Sequence, residues 1–211
     1  MELAYLRAVF NELERLGEWS GENPLGKVRG LKFDETEMAY LNADQINPLL
    51  ADLDNRSIAA GVVARVCLAT GARWSEAEGL AARQVRDCRV HFARTKSSKN
   101  RTVPISAPVQ KQIKASIPFG DCYKKFGASV EAVELDLPAG QLTHVLRHTF
   151  ASHYMMNGGD ILTLQRVLGH ASLAMAMKYA HFSPGHLAEV VRLNPLSFGG
   201  IGKGEVGDGG N

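Results

Sequence analysis

Apolar residues recur at steps of three and four along most of this chain, which is the period of an amphipathic helix. The first stripe, from Leu3 to Leu16, predicts a helix over residues 2–17 whose apolar face needs a partner. The helix is followed by helix-breaking residues and then by three basic residues, which is typical of a linker. These basic residues are Lys27, Arg29 and Lys32. We expect a domain boundary near residues 20–36.

Helix caps delimit the next elements. Asn42 is a favourable N-cap for a helix that runs to about Leu53, and Gly71 is a favourable C-cap for a helix that begins near Ile58. The same patterns predict further helices over residues 107–117, 121–132, 143–157, 161–168, 172–179 and 184–192.

Two short segments, residues 89–94 and 102–105, alternate or carry β-branched side chains and flank a polar, basic stretch. This pattern predicts a β-hairpin with a basic tip. The fold class is therefore mainly α with a small antiparallel β-sheet. We predict a terminal helix over residues 1–20, a basic linker over 21–36, a main domain over 37–198 and a flexible Gly-rich tail over 199–211.

Composition adds limits to this prediction. The chain has 211 residues, 45% hydrophobic content and a net charge of +2, which suits a globular domain and permits a polyanionic partner. Its three cysteines are widely spaced and suggest neither a disulfide framework nor a paired-cysteine zinc site, so we expect the reducing cytoplasm. Neither a signal peptide nor an apolar run of membrane-spanning length is visible, and no membrane partner is expected.

Basic charge is concentrated in the predicted hairpin. Residues 83–101 hold seven basic side chains against one acid, Asp87. Such a cluster is expected where phosphates bind, although a solvated hairpin face gives the same pattern. Arg73 follows the Gly71 helix end, with Ser75 as a candidate cap of the next helix. A guanidinium there can hold two phosphate oxygens, or it can simply cap a helix or pair with Glu76.

Histidine and arginine recur at the start of the helix predicted over residues 143–157. His144 and Arg147 are three apart, so they share one face near the positive helix end, where an anion is favoured. We assign His148 and Phe150 to packing. His144 and His148 have zinc-ligand spacing, but Val145 replaces the glutamate of that motif and we predict no metal site.

Five motifs occur in one order: Thr70-Gly-Ala-Arg73, a hairpin lysine at Lys96, His144-Val-Leu-Arg147-His-Thr-Phe-Ala, Leu168-Gly-His170 and Met-Lys-Tyr179-Ala-His. Together they resemble the tyrosine recombinase (phage integrase) family over roughly residues 40–192. The helix over residues 2–17 resembles the last helix of the family's core-binding domain, of which we expect the rest to be absent. The resemblance implies that residues 37–198 form a catalytic domain.

The resemblance also implies roles for single residues. Arg73 and Arg147 clamp the scissile phosphate, while His144 and His170 add hydrogen bonds and are candidates to accept the tyrosine proton. Tyr179 is the nucleophile, although a phenol with a pKa of about 10 needs cationic neighbours and a base. Lys96 protonates the leaving 5′ oxygen, with Lys99 as the rival. The expected DNA contacts are Lys27, Arg29, Lys32, Lys99 and Arg101.

The implied activity is site-specific DNA recombination, in phage-type integration or excision, through a 3′-phosphotyrosine and without cofactor or metal. We expect double-stranded DNA as partner, a homotetramer on DNA for the full-length protein and a monomer for this chain without DNA. A type IB topoisomerase and a non-catalytic DNA-binding regulator remain alternatives. A metal-dependent nuclease is disfavoured because these motifs contain no clustered Asp or Glu.

Overall fold

The computed structural model describes residues 2–28, 38–93 and 100–185, together with Val190, Val191 and Pro195. The chain forms two compact units, Met1–Glu37 and Met38–Asn211. Within the described residues, no helix is both long enough and apolar enough to span a membrane.

The first unit is built on helix α1 (Glu2–Arg15), which ends two residues before the predicted end. A following loop folds back on the helix: Arg7 Nε donates to the Leu25 carbonyl at 3.1 Å, and Asn23 Nδ2 donates to the Arg7 carbonyl at 3.0 Å. Phe10 packs edge-on against Trp19, whereas Leu6 stays exposed. The loop therefore covers part of the predicted apolar stripe.

The second unit is mainly α with one small antiparallel sheet, which confirms the predicted fold class. Its helices over the described residues are α2 (Ala43–Arg56), α3 (Ile58–Thr70), α4 (Trp74–Glu78), α5 (Ala107–Ser116), α6 (Tyr123–Ala132), α7 (His144–Met156), α8 (Ile161–Leu168) and α9 (Leu173–Met177). Its strands are β1 (Val85–Arg86), β2 (Arg89–Phe92) and β3 (Arg101–Pro104), and two 3-10 turns span Ala82–Gln84 and Ala180–Phe182.

The predicted caps explain where α2 and α3 begin and end. The Asn42 side chain accepts from the Gln45 N–H at 3.0 Å, and the Gln45 side chain accepts from the Asn42 N–H at 3.0 Å. Gly71 ends α3 with φ +64°, and an added Cβ there would lie 2.5 Å from the Phe150 ring. Only glycine therefore fits this position without displacing the ring.

Helix α3 is apolar on nearly all sides and forms the centre of the core. It packs against α2, α5 and α7. Those helices contribute fully buried side chains such as Leu49, Ile113 and Leu146. Since α3 and α7 carry the first two arginine motifs near their ends, the core fixes the distance between those motifs.

The sheet has the order β1-β2-β3 with antiparallel neighbours. Val90 pairs with Val103 on its buried face, and Arg86 pairs with Arg89 on its exposed face. Strand β1 is an addition to the prediction. The predicted hairpin tip with Lys96 and Lys99 lies outside the described residues, as does most of the helix predicted over 184–192.

A smaller apolar cluster joins α7 and α8 to the segment after α9. Its buried members are Ala151, Met155, Leu164, Leu168 and Tyr179. The tyrosine ring is only 3% exposed, so packing determines where its hydroxyl points. This cluster therefore positions the predicted nucleophile.

Candidate active site

Arg147 of α7 connects the ends of three helices. Its Nη1 donates to the Gly71 carbonyl at 2.7 Å and its Nη2 donates to the Leu168 carbonyl at 2.8 Å. These carbonyls belong to the C-terminal ends of α3 and α8, where backbone acceptors lack helical partners. The two bonds use two of the five guanidinium N–H groups, which leaves other donors for a ligand.

Arg147 is only 4% exposed, and its guanidinium lies near the positive charges of Arg73 and Arg101. Burial, with the charges of Arg73 and Arg101, lowers its pKa to about 10, so it stays positively charged at neutral pH. Helix-end carbonyls offset only part of that charge. An anion bound here would therefore be strongly favoured.

A buried carboxylate, Glu76 of α4, connects Arg73 and Arg101. Arg101 donates to its two oxygens at 3.1 and 2.7 Å. The Arg73 N–H donates to Glu76 Oε2 at 2.9 Å, and Arg73 Nη1 lies 3.4 Å from Oε1. Burial alone would raise the pKa of Glu76, but hydrogen bonds and the two arginine charges lower it to about 2.

The same contacts correct the predicted start of α4. The helix begins at Trp74 with Arg73 as N-cap, so the expectation that Ser75 caps it is wrong. Glu76 accepts the Arg73 N–H three residues earlier and takes the capping role. Both alternatives considered for Arg73, capping and pairing with Glu76, are thus present.

Arg101 of β3 was predicted to contact DNA. It is 8% exposed, it pairs with Glu76, and its guanidinium carbon lies 4.4 Å from the centre of the Phe92 ring. The side chain is therefore part of the support of the site. Its contact with DNA stays a prediction.

A cavity of about 310 Å³ brings together three of the predicted residues, Arg73, His144 and Arg147. Trp74, Ser75 and Tyr123 are also among its lining residues. His144 is the first residue of α7 and is exposed. Partial burial of its ring and the charges of Arg147 and Arg73 lower its pKa. Two arginines against one glutamate, Glu78, give the cavity lining a net positive charge, with a histidine at its edge.

His170 lies beyond the end of α8, on a second cavity of about 470 Å³ that it shares with Arg101 and Arg166. The residue is 9% exposed, and its Nδ1 is buried without a hydrogen-bond partner among the described residues. Burial and the charges of Arg147, Arg73 and Arg101 lower its pKa to about 4. His170 is therefore neutral near pH 7.

The Tyr179 hydroxyl lies 2.7 Å from Nδ1 of His148, on α7. Burial raises the pKa of the phenol, and the nearby charge of Arg147 opposes that shift. Burial also lowers the pKa of His148 to about 4, with contributions from His144, Arg147 and Lys178. A neutral imidazole and a protonated phenol therefore share one hydrogen bond.

Of the five other predicted residues, the structure describes only Lys27. Lys96, Lys99, Arg29 and Lys32 lie outside the described residues. Lys27, in the first unit, is 91% exposed and lies 3.2 Å from Glu22, which is a weak surface pair. No group of three or more His, Cys, Asp or Glu side chains arranged to hold a metal occurs in the described part of the chain.

Sequence reasoning did not place Glu76 or His148 among the site residues. Glu76 was considered only as a pairing partner of Arg73, three residues earlier, and the structure shows that it pairs with Arg101 as well. His148 stands one turn after His144, but its contact with Tyr179 joins residues 31 apart and has no local signature. The packing role assigned to His148 omits this contact.

Comparison with known proteins agrees with the motifs. Residues 120–186 match the model of the phage integrase family, and residues 1–32 match that of the phage integrase N-terminal domain. The integrase of Escherichia phage 186 is 54% identical over 204 residues, which cover 93% of this chain and 60% of that protein. The integrase of Haemophilus phage HP1 is 55% identical over 199 residues, which cover 93% of this chain and 59% of that protein.

A solved structure described as the catalytic domain of bacteriophage HP1 integrase is also similar. It has a TM-score of 0.71 and 51% identity, and the match covers 77% of this chain and 98% of that domain. The chain spans about three fifths of the length of the two curated integrases, at 60% and 59%. With a whole catalytic domain matched at this identity, the chain belongs to the phage integrase family of tyrosine recombinases.

Proposed function

We propose that this chain cleaves and rejoins DNA strands in site-specific recombination, as in phage integration or excision, through a covalent phosphotyrosine. The observation that carries the proposal is the gathering of Arg73, Arg147 and His144 around one cavity, with Tyr179 buried and hydrogen-bonded to His148, the residue next to Arg147. Such a site suits a phosphodiester and an oxygen nucleophile.

The two arginines bind the non-bridging oxygens of the scissile phosphate. Arg147 is already fixed by the Gly71 and Leu168 carbonyls, and Arg73 is held by Glu76. Donors that are fixed before the reaction lose little free energy through reorganisation as charge develops on the phosphoryl oxygens. Electrostatic stabilisation of this kind supplies most of the catalysis in phosphoryl transfer.

Tyr179 attacks phosphorus, and the bond between phosphorus and the 5′ oxygen breaks. The products are a 3′-phosphotyrosine and a 5′-hydroxyl, whose proton comes from Lys96 or, in the rival assignment, from Lys99. Proton donation of this kind accelerates a reaction about 10²–10⁴-fold. Rejoining runs the same steps in reverse and needs no nucleotide cofactor, since the phosphotyrosine keeps the bond energy.

His144 and His170 serve as neutral hydrogen-bond donors to the phosphate. Their lowered pKa values leave one ring N–H on each at neutral pH. The buried, unpartnered Nδ1 of His170 marks a polar atom whose partner is absent from the described protein. Each histidine therefore adds one directed bond without adding charge.

Double-stranded DNA is the proposed partner, with four copies of the full-length protein assembled on it and a monomer of this chain in its absence. The proposed backbone contacts outside the catalytic centre are Lys27, Arg29, Lys32, Lys99 and Arg101. Because the substrate would be bacterial and phage DNA, we place the reaction in the cytoplasm.

Incubation with a nicked DNA substrate, whose short cleaved end diffuses away, tests the proposal by trapping the covalent adduct. We expect an adduct in excess EDTA for the protein and for Tyr5→Phe, a control whose side chain is exposed on α1. Tyr179→Phe should bind DNA and give no adduct, because the nucleophilic oxygen is gone. An adduct with Tyr179→Phe at the original rate would refute the assignment.

A further inference from the structure

His148 and Tyr179 form a hydrogen bond between side chains that are 31 positions apart in the sequence. The Nδ1 atom and the phenol oxygen are 2.7 Å apart, and the ring centroids are separated by 6.0 Å. His148 is half-buried on helix α7, and Tyr179 is buried in the small apolar cluster. Helix α7 and this cluster therefore bring the two side chains together.

The proton in this bond belongs to the phenol. Around His148, the facing titratable groups include His144 and Arg147 on its own helix, His170 beyond the end of α8, and Lys178 and Tyr179 on the segment after α9. Burial and the nearby positive charges keep the imidazole neutral. A neutral imidazole that contacts a hydroxyl through Nδ1 can accept only if its hydrogen is on Nε2.

We propose that His148 is the general base of strand cleavage, taking the proton of Tyr179 directly through Nδ1. This inference rests on the proposed recombinase function and replaces His144 and His170, the candidates for this role in the sequence motifs. The distance from His148 Nδ1 to the phenol oxygen already lies within the reach of about 2.6–3.2 Å that proton abstraction requires.

The step balances without a further reactant. As the Tyr179 oxygen bonds to phosphorus, its proton moves to Nδ1, and the electron pair of the broken phosphorus–oxygen bond passes to the 5′ oxygen. That oxygen takes the proton of Lys96, or of Lys99 in the rival assignment. In rejoining, the 5′-hydroxyl returns its proton to the lysine as its oxygen attacks phosphorus, the tyrosine oxygen leaves, and His148 returns the proton to it.

Bound DNA would make His148 a better base. The positive charge of Arg147 contributes to lowering its pKa, after the larger effect of burial. A phosphodiester on Arg147 would offset that charge, so the pKa of His148 should rise when substrate binds. His148 would therefore accept a proton more readily once the phosphodiester is in place for attack by Tyr179.

The test compares His148→Asn with His148→Ala on the nicked substrate. The Asn side-chain oxygen can accept the phenol hydrogen bond near the position of Nδ1, but it does not take up a proton at neutral pH. If His148 is the base, both variants should form the adduct about 10²–10⁴-fold more slowly than the original protein. If it only positions Tyr179, His148→Asn should cleave at close to the original rate, and the proposal falls.

His153→Gln is the matched control, since His153 lies on α7 and binds the Leu41 carbonyl through Nε2. We expect it to cleave normally, and thermal unfolding of all variants checks that they fold. Adduct formation by the original protein separates the two hypotheses: if it forms no adduct, the proposed function fails, and if it does while His148→Asn matches it, only this inference fails.

A fluorinated tyrosine at position 179 gives a second readout that a positioning role would not change. Its phenol ionises near neutral pH, so the nucleophile no longer needs a base. We expect it to restore most of the rate lost in His148→Asn. Between about pH 6 and 8, the His148→Asn protein with natural tyrosine should gain about tenfold in rate per pH unit, because hydroxide must remove the proton. Absence of both effects would overturn the proposal.

Discussion

Two buried arginines of the active site, Arg147 and Arg101, are held in different ways. Arg101 makes a two-bond ion pair with Glu76. Arg147 binds two uncharged carbonyls and forms no ion pair with any residue that the structure describes. Both side chains are less than a tenth exposed, at 8% and 4%. The positive charge of Arg101 is therefore paired with a carboxylate, whereas that of Arg147 is not.

The difference separates a supporting role from a binding role. A buried charge is costly unless it is paired, so the Glu76 carboxylate stabilises the buried Arg101 and holds α4 against β3. Burial, with the charges of Arg73 and Arg101, lowers the pKa of Arg147 to about 10, and no ion pair in the described residues offsets this penalty. On our proposal, the scissile phosphate is the anion that pairs with Arg147, and part of its binding free energy comes from relieving this penalty.

Replacing each arginine with lysine tests most directly whether Arg147 and Arg101 have different roles. Arg147→Lys should lower the rate of adduct formation about 10²–10³-fold, because lysine cannot bind both carbonyls and also present a flat pair of donors to phosphate. Arg101→Lys should lower it much less, since a charge still faces Glu76. Single-turnover cleavage measures both, and equal losses would contradict the division of roles.

The second prediction concerns the free energy of unfolding. Glu76→Gln leaves the Arg73 and Arg101 charges without their carboxylate and should destabilise the protein by about 3 kcal/mol at pH 7. The folded pKa of Glu76 is lowered from 4.5 to about 2, so its contribution is complete above pH 4.5 and is lost as the pH falls towards 2. The original protein and the variant should therefore converge in stability near pH 2.

Urea unfolding at several pH values measures this convergence. Glu12→Gln is the control, because Glu12 forms an i,i+3 pair with Arg15 as Glu76 does with Arg73, but the Glu12 pair is exposed. Exposed pairs contribute little, so this variant should unfold like the original protein. A constant difference between the original protein and Glu76→Gln from pH 7 to 2 would show that the carboxylate charge is not the cause.

The smallest expected effect is the stabilisation of the folded protein by a free anion. Inorganic phosphate or a similar oxyanion should raise the Tm by occupying the uncompensated site at Arg147, with a gain of about 1.4 kcal/mol at ten times its Kd. Arg147→Met should lose this response, whereas Arg101→Lys should keep it. Differential scanning calorimetry distinguishes these outcomes, and a response that persists in Arg147→Met would place the anion elsewhere.

Local features were predictable from the sequence because local contacts create them. Asn42 and Gly71 were assigned as caps from residue type and spacing, and both cap the predicted helices. Ser75 was misassigned because the Glu76 side chain, not a hydroxyl, satisfies the start of α4. The two-residue strand β1 is too short to show a periodic pattern.

The support of the site could not be predicted because it consists of long-range contacts. Arg147 reaches the Gly71 carbonyl across 76 positions, and Arg101 reaches Glu76 across 25. The motifs indicate which residues meet at the phosphate, since the family resemblance carries that information. They do not indicate which backbone carbonyls hold an arginine or which histidine contacts Tyr179, because those contacts depend on how α7 packs on α3 and α8.

Mass spectrometry of the trapped adduct tests most directly whether Tyr179 is the nucleophile. After incubation with the nicked DNA in EDTA, nuclease trimming and proteolysis, we expect one modified peptide that carries a 3′-phosphonucleotide on Tyr179. A nucleotide joined through its 5′ phosphate, a modification on another residue, or strand cleavage without any protein-linked nucleotide would contradict it.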